Sequence, residues 1–456
     1  MKSLRSFQTG FFYPLITIML IVALAWISIL LTSPPKPKNY DSSTNEFSAE
    51  RAFKHIEHVA QWPHMTGTPE HDLVCNYLVN ELERIGLEVD IQTTTVADYD
   101  GYYIYANVTN IAGRIRGTDN SKAVMVVGHY DTQPRTPGAA DDGLAVGSML
   151  EAAEIIKNHY SLKNDIIFLF TDAEEIGLIG AEAFAKDHPW MEDVGLVLNL
   201  EARGNKGAVL AFEVSPENGW IIREFAKGVE RPFAASMMYE VYNMLPNNTD
   251  FTVFKSLGYS GFNLALVKGF VNYHSPTDTP ENLSLASLQH MGDYVMSIAK
   301  HFGNIPLHET KAKDLVYFNI IGHKMIYYPA SWSIWIFLII VLLFTLFLYL
   351  GFAKKHLNFG KILLSLFLNL ISIAFVVGVV WLLNYLVKSV YPHYNIFYSS
   401  NFYNVEYYFL AYTAIAIAAF ALFYSIVLRK VNIYNVMASV FLLFAITSVL
   451  LLWKVP

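Results

Sequence analysis

Five long apolar runs constrain this chain more than any other feature of its sequence. The first run covers residues 11–32 without a charged residue, and it has about the twenty residues that a helix needs to cross a bilayer. Four further runs lie near the carboxyl end, and short polar segments separate them, at 332–353, 362–387, 407–428 and 432–453. The sequence therefore predicts a multi-pass membrane protein with about five transmembrane helices.

A cleaved secretory signal is the alternative interpretation of the first run. The run is longer than the apolar region of most signals, and the segment TSPPKPKNY that follows it has no small-x-small cleavage site. We therefore expect an uncleaved anchor that follows a cytoplasmic amino terminus of residues 1–10.

The distribution of basic residues predicts the orientation in the membrane, because short cytoplasmic loops are enriched in Lys and Arg. With the amino terminus inside, the outer segments near the last four runs carry only Lys388 and Lys454. The region 33–330 then lies outside the cytoplasm, facing the periplasm or the cell exterior in a bacterium, or a vacuolar or endoplasmic reticulum lumen in a eukaryote. The basic residues assigned to the cytoplasmic side are Lys2, Arg5, Lys354, Lys355, Lys361, Arg429 and Lys430.

The region between the first two runs has the composition of a folded acidic domain. Residues 33–46 are rich in Pro, Ser and charge, which is typical of a linker, and we expect a domain over 47–330 followed by a membrane domain over 331–456. Residues 1–330 hold 25 basic and 38 acidic residues, an excess of acid that disfavours nucleic-acid binding. The single cysteine, Cys75, excludes an internal disulfide framework.

Periodicity within 47–330 favours an α/β fold with a largely parallel mixed sheet flanked by helices. Thr68 followed by Pro69 predicts the start of a helix that Gly86 ends. Extended runs are expected at 87–97 and 102–116, and short apolar strands then alternate with helices at 143–157, 177–187, 219–229, 249–257 and 284–303. In such sheets, ligands bind beyond the carboxyl ends of the strands.

Side chains of the types that bind metal ions occur in five separate segments, at strand ends or in loops. Imidazole and carboxylate groups without thiolate suit zinc, with manganese or cobalt as alternatives, and the number of carboxylates favours more than one ion. Taken singly, each has an ordinary structural explanation as a turn, a helix-capping acid or a loop histidine, and we assign the other twelve histidines to loop roles. The candidates are His129 and Asp131 in GHYDT, Asp141 and Asp142 in AADDG, Glu174 and Glu175 in TDAEE, Glu201 in NLEARG, and His274 in NYHSPTDTPENL.

These motifs resemble those of the dizinc aminopeptidases of the MH clan, and the resemblance covers roughly residues 50–305. GHYDT, AADDG, AEEIGLIG and YHSPTDTPENL occur in the order and spacing of that family. The resemblance implies metal ligation by His129, Asp141, Glu175, Glu201 and His274, with Asp141 bridging two zinc ions and followed by a cis peptide bond. It also implies that Glu174 is the general base, that Asp131 orients His129, and that Tyr273 stabilises the oxyanion.

Glu201 occupies a position where most of the family has Asp. The NLEARG form is similar to the membrane-embedded branch, the vacuolar membrane proteases and endoplasmic reticulum metallopeptidases, which also place a peptidase domain between one span and a multi-span region. Members of that branch commonly continue further, so this chain looks short beside them. An alternative for Glu201 is a strand-end acid paired with Arg203 and turned toward solvent.

The resemblance implies a membrane-anchored zinc metallopeptidase acting on peptides, and the acidic site favours an aminopeptidase over an endopeptidase. A glutaminyl cyclase with one zinc is an alternative on the same fold. Two further alternatives are a non-catalytic receptor or chaperone module on the same fold and a transporter. The transporter is disfavoured because no acid lies within the spans. The sequence leaves the preferred side chain and the oligomeric state open.

Overall fold

The computed structural model describes residues 2–98, 104–119, 122–396 and 402–454, and it divides the chain into two compact units, Met1–Ala330 and Ser331–Pro456. In the first unit, the helices within the described residues are α1 (Lys2–Leu31), α2 (Ala49–Val59), α3 (Pro69–Ile85), α4 (Gly143–His159), α5 (Ile179–Asp187), α6 (Gly219–Gly228), α7 (Ser236–Asn243), α8 (Asp250–Ser256) and α9 (Leu285–Phe302). The strands are β1 (Glu88–Asp98), β2 (Ile104–Ile115), β3 (Ala123–His129), β4 (Asp165–Thr171), β5 (Val194–Ala202), β6 (Leu210–Val214), β7 (Gly261–Leu266), β8 (Leu315–Ile321) and β9 (Lys324–Pro329).

Strands β1–β7 form one mixed sheet in the order β1-β2-β4-β3-β5-β7-β6. The central pairings β4–β3, β3–β5 and β5–β7 are parallel, whereas β1–β2, β2–β4 and β7–β6 are antiparallel. The predicted mixed α/β sheet is confirmed, and its parallel strands occupy the centre. Strands β8 and β9 form a separate antiparallel hairpin.

The central strands are mostly apolar because helices cover both faces of the sheet. In β3, Val124 and Val126 belong to the large core that includes residues of α2, α4 and α9, whereas Met125 and Val127 pack in a second core with Phe184 of α5 and residues of α8. Burying such a side chain completely contributes about 1.5 to 3 kcal/mol. The rigid part of the domain is therefore the layer from which the candidate ligands project.

The predicted ends of α3 are confirmed at both caps. The Thr68 side chain accepts a hydrogen bond from the backbone N–H of His71 at 3.3 Å, and Gly86 ends the helix with a φ of +82°, a conformation that favours glycine. The assignment of the other twelve histidines to loop roles is wrong for those that lie in helices, among which His71 and His290 are also buried. The helical histidines are His55, His58, His71, His159, His290 and His301. The burial of His71 and His290 depends on tertiary packing that local sequence does not encode.

In the second unit, the described helices are α10 (Trp332–Ala353), α11 (Phe359–Val390), α12 (Val405–Val427) and α13 (Ile433–Lys454). The part of α1 from Phe12 to Leu31 and these four helices are long and apolar enough to span a membrane, which gives five candidate spans among the described residues, as predicted. Asn369 of α11 donates to Ser439 Oγ of α13 at 2.9 Å and accepts from Tyr424 of α12. These polar contacts link three helices of the membrane unit.

Candidate metal centre

The candidate ligands lie at one edge of the sheet because the parallel strands β3, β4 and β5 end there. His129 is the last residue of β3, Glu201 is the penultimate residue of β5, and Glu175 lies shortly beyond the end of β4. Asp141 lies in the turn before α4, and His274 follows β7 in a loop. Residues far apart in sequence therefore reach one site.

These side chains form two groups of three that share one aspartate. Ligand atoms of His129, Asp141 and Glu201 all lie within 4.8 Å of one another, and so do those of Asp141, Glu175 and His274. His129 Nε2 lies 3.2 Å from Asp141 Oδ1, whereas His274 Nε2 lies 3.3 Å from Asp141 Oδ2 and 3.2 Å from Glu175 Oε2. Each carboxylate oxygen of Asp141 thus faces a different histidine.

The donor set fits divalent cations. Histidine nitrogens and carboxylate oxygens are the ligands that zinc takes in the absence of thiolates. Oε1 of Glu175 is buried and has no hydrogen-bond partner among the residues described, an arrangement that is unfavourable for an anion unless a cation compensates it. The predicted cis peptide bond between Asp141 and Asp142 is present.

Burial and crowding of carboxylates disfavour their ionised forms at this edge. Burial raises the pKa of Glu201 to about 8, and burial together with the charge of Glu201 raises the pKa of Glu174 well above its ordinary value. Burial also acts on Asp141, but hydrogen bonds from His129 and His274 outweigh it and lower the pKa of Asp141. A bound cation would relieve the repulsion among the remaining carboxylates.

Asp131 joins one histidine to the segment that follows β4. Its carboxylate accepts the backbone N–H groups of Glu174 at 3.0 Å and Glu175 at 3.2 Å, and Oδ1 lies 3.4 Å from His129 Nδ1. The Asp131 carbonyl oxygen is also 3.0 Å from His129 Nδ1. One side chain therefore orients the imidazole and fixes the backbone of two neighbouring acids.

Asp278 holds the turn that carries Asp141, and sequence reasoning missed it. Its carboxylate accepts hydrogen bonds from the backbone N–H groups of Ala140 at 3.0 Å and Asp141 at 3.1 Å. Its backbone carbonyl oxygen accepts a hydrogen bond from the backbone N–H of Ala139 at 3.1 Å. Burial raises the pKa of Asp278 to about 7. The signal was available, because Asp278 lies in the same NYHSPTDTPENL segment as His274.

Two more buried acids beside the site were not predicted. Asp172, directly after β4, accepts hydrogen bonds from His71 Nε2 at 2.9 Å and Thr66 Oγ1 at 2.8 Å. Asp250 of α8 accepts a hydrogen bond from Thr171 at the end of β4. These acids stabilise the end of β4 from which Glu174 and Glu175 project, and no local pattern distinguishes them from surface acids.

Glu174 and Tyr273 both line a cavity of about 1340 Å³ that opens over the two groups of ligands. The ring of Tyr273 stacks on that of His274 with 3.7 Å between ring centroids, and burial raises the pKa of the Tyr273 hydroxyl. The alternative pairing of Glu201 with Arg203 is not observed, because the Arg203 guanidinium lies over the rings of Phe270 and Tyr273 at 5.3 and 5.7 Å. The apolar part of the cavity wall includes Phe212, Met238, Val241, Leu245 and Val267.

An α/β domain with imidazole and carboxylate groups converging beyond its parallel strands has the architecture of a metal-dependent hydrolase. Residues 110–299 match the model of Peptidase family M28. The chain therefore contains a Peptidase family M28 domain, and the resemblance inferred from its motifs is confirmed.

The relatives found by comparison include endoplasmic reticulum metallopeptidases and vacuolar membrane proteases. The chain is 30% identical to endoplasmic reticulum metallopeptidase 1 of Homo sapiens over 309 residues, which cover 62% of this chain and 34% of that protein. It is 31% identical to the vacuolar membrane protease of Candida albicans over 277 residues, covering 60% of this chain and 32% of that protein. The matched region thus spans about a third of the length of these relatives.

Among solved structures, the chain is similar to BSAP, a zinc aminopeptidase from Bacillus subtilis. The two are 15% identical, with a TM-score of 0.47, and the match covers 58% of this chain and 97% of that one. A glutaminyl cyclase from Bacteroides thetaiotaomicron matches at a TM-score of 0.46 and 19% identity, covering 56% of this chain and 97% of that one.

Proposed function

We propose that this chain is a membrane-anchored zinc peptidase that removes residues from the amino termini of peptides. The observation that carries the proposal is the sharing of Asp141 between the two groups of ligand atoms, which suits two Zn²⁺ ions bridged by one carboxylate. His129 and Glu201 would complete one ion site, and Glu175 and His274 the other. Manganese or cobalt could occupy the same set of nitrogen and oxygen donors.

When bound, zinc supplies the Lewis acidity that lowers the pKa of the attacking water and polarises the scissile carbonyl. Glu174 lines the cavity over the ligands, where its carboxylate can accept the proton of that water and then donate it to the leaving amine. The Tyr273 hydroxyl lines the same cavity and remains protonated at neutral pH, so it can donate a hydrogen bond to the developing oxyanion.

The surplus of acids around the cavity favours a substrate with a free amino terminus. Glu174, Glu175 and Glu201 all line it, and an ammonium group is the part of a peptide that such a surface attracts. An aminopeptidase uses this attraction to position the first peptide bond, whereas an endopeptidase would have to bury the same acids against neutral backbone.

We also infer that residues 33–330 lie on the non-cytoplasmic side of the membrane. The positively charged residues that flank the spans support this orientation, because Lys354, Lys355, Arg429 and Lys430 fall in the short loops that would then be cytoplasmic. The peptide substrates would be those of the lumen or the cell exterior.

The proposal is tested by assaying the purified full chain on aminoacyl anilides and on matched peptides with free or acetylated amino termini. We expect hydrolysis of the free forms only, loss of activity with a chelator, recovery with zinc, and two zinc ions per chain by elemental analysis. Cyclisation of amino-terminal glutamine with a single bound zinc would instead identify a glutaminyl cyclase, and cleavage of acetylated peptides at internal bonds would exclude the aminopeptidase assignment.

A further inference from the structure

The hairpin β8–β9 lies between the ends of two candidate membrane spans. Pro329 ends β9 and Trp332 begins the next span, so only Ala330 and Ser331 intervene, and the three Cα–Cα steps can extend over at most about 11 Å. At the opposite end of the hairpin, a Cβ placed on Gly322 would lie 2.9 Å from Cβ of Leu31, the last residue of the first span. Because the chain leaves one span and enters the next, both span ends lie on the same side of the bilayer.

The hairpin exposes large apolar side chains. Ile320 and Ile321 are 50% and 61% exposed, and the cross-strand pair Phe318 and Ile326 is also exposed. Isolated two-stranded hairpins are only marginally stable in water, and contiguous exposed apolar residues usually mark an interaction surface. Apolar and aromatic residues beside a span end are typical of segments that lie in the interface of a bilayer.

The opposite side of the hairpin holds the segment that leads into α7. The Tyr317 N–H donates to Ser236 Oγ at 2.9 Å. The Asn319 side chain donates to the Pro232 carbonyl oxygen at 2.8 Å and accepts from the Ala234 N–H at 2.9 Å. Helix α7 and the residues after it supply the cavity wall formed by Met238, Val241 and Leu245. The hairpin is thus bonded to one wall of the candidate active-site cavity.

We propose that the β8–β9 hairpin binds the phospholipid interface and holds the α7 wall of the cavity at the membrane surface. The partner is the bilayer itself, which the exposed residues meet because the hairpin is tied to a span at each end. The consequence for substrates rests on the proposed peptidase function: peptides attached to the bilayer are presented to the cavity more effectively than free ones.

Cysteine labelling in the full chain tests the lipid contact without depending on catalysis. The one native cysteine is first replaced by Cys75→Ser, and Ile320→Cys is then labelled with an environment-sensitive nitrobenzoxadiazole dye in phosphatidylcholine vesicles. The matched control is Leu73→Cys, because Leu73 is 68% exposed on α3, which packs beside β1 at the edge of the sheet away from β6 and α7.

We expect nitroxide-labelled lipids to quench the dye at position 320 and to leave the dye at position 73 bright. Quenching should be strongest with the nitroxide at a shallow acyl position, since interfacial elements insert about 5 to 10 Å. Equal, weak quenching at both positions would overturn the proposal. A dye at 320 that is shielded from water but not quenched would also overturn it, because protein rather than lipid would then cover the hairpin.

A second measurement tests the consequence for substrates. Ile320→Asp should lower kcat/KM about ten-fold for a peptide anchored in the vesicle by a lipid at its carboxyl end, while kcat/KM for the free peptide stays within about two-fold. Leu73→Asp should change neither value. An equal loss on both peptides would contradict presentation by the membrane. If the unmodified chain cleaves neither peptide, the proposed function fails while the labelling result still decides the lipid contact.

Discussion

His129 and His274 approach opposite oxygens of Asp141 at 3.2 and 3.3 Å, so the geometry of both ligand groups depends on this one carboxylate. Asp141 is held in turn through its backbone N–H by Asp278. The sequence predicted the aspartate but not its support, because the contact joins residues 137 positions apart and is made through the backbone. Local motifs indicate the candidate ligands, whereas they carry little information about the groups that hold those side chains in place.

The role of Glu174 is tested by Glu174→Gln, which keeps the size of the side chain and removes its ability to accept a proton. We expect zinc binding to persist while turnover of an aminoacyl anilide falls by about 10²-fold to 10⁴-fold. The control is Glu182→Gln, an acid on the rim of the same cavity, which should retain near-normal turnover. Near-normal turnover by Glu174→Gln would exclude Glu174 as the base.

Glu201 is tested by comparing Glu201→Asp with Glu201→Ala in zinc titrations. If Glu201 is a ligand, its carboxylate oxygen lies ~2.0 to 2.2 Å from an ion, and shortening the side chain should weaken one of two binding events. The alanine variant should lose that event while its fold is retained. Unchanged affinity for both ions in both variants would remove Glu201 from the ligand set.

Asp278→Ala tests the support of the Asp141 turn. The substitution leaves the N–H groups of Ala140 and Asp141 without their acceptor, and groups that orient ligands typically change metal affinity by about 10-fold to 100-fold. We expect weaker binding of both ions in a competition assay with a chromogenic chelator. Glu281→Ala, at an exposed position in the same segment, should bind zinc normally. Equal affinities in the two variants would show that the turn keeps its shape without Asp278.

At the scale of elements, the strands and helices that form the core were predictable from the sequence, whereas β6, α7 and the β8–β9 hairpin were not. Strand β3 is buried on both faces, so its apolar run is continuous and easily recognised. Helix α7 contains no buried residue, so it lacks the apolar stripe by which helices are predicted. Its methionines and valine face the cavity or solvent, and their pattern reflects the site rather than the core.

The buried carboxyl groups at the carboxyl-terminal ends of the strands should make the metal-free domain less stable as the pH rises. Burial raises the pKa of Asp250 to about 6, of Asp278 to about 7 and of Glu201 to about 8. These three carboxyl groups therefore bind more protons in the folded state than in the unfolded state between about pH 4 and pH 8, and the stability that they contribute at low pH is lost as the pH passes through these values.

Thermal unfolding checks this prediction. The chelator-treated protein should have a higher Tm at pH 5 than at pH 8, whereas bound zinc competes with protons for the same ligands, so the zinc-saturated protein should gain stability over that range. A Tm of the metal-free protein that increases from pH 5 to pH 8 would contradict the assignment of protonated carboxyls to this edge.

At the scale of the whole molecule, the chain combines an acidic α/β unit with a helical unit that carries most of its apolar surface. The boundary at Ala330 coincides with the point where charged residues become rare, because the two units are stabilised in different solvents. Within the described part of the second unit, Asn369 uses its side chain to join helices.

Reporter fusions test on which side of the membrane the acidic unit lies. If the positively charged loops are cytoplasmic, a fusion that ends after Ala330 should place alkaline phosphatase outside the cytoplasm, where it is active. A fusion after Lys355, one span later, should place it inside, where it is inactive, and a fluorescent protein at the same two positions should give the opposite pattern. The physical reason is that Lys354 and Lys355 resist transfer across the membrane, whereas the large acidic domain that follows the first span translocates largely regardless of its charge. Phosphatase activity after Lys355 together with its absence after Ala330 would reverse the orientation and place the candidate metal centre in the cytoplasm.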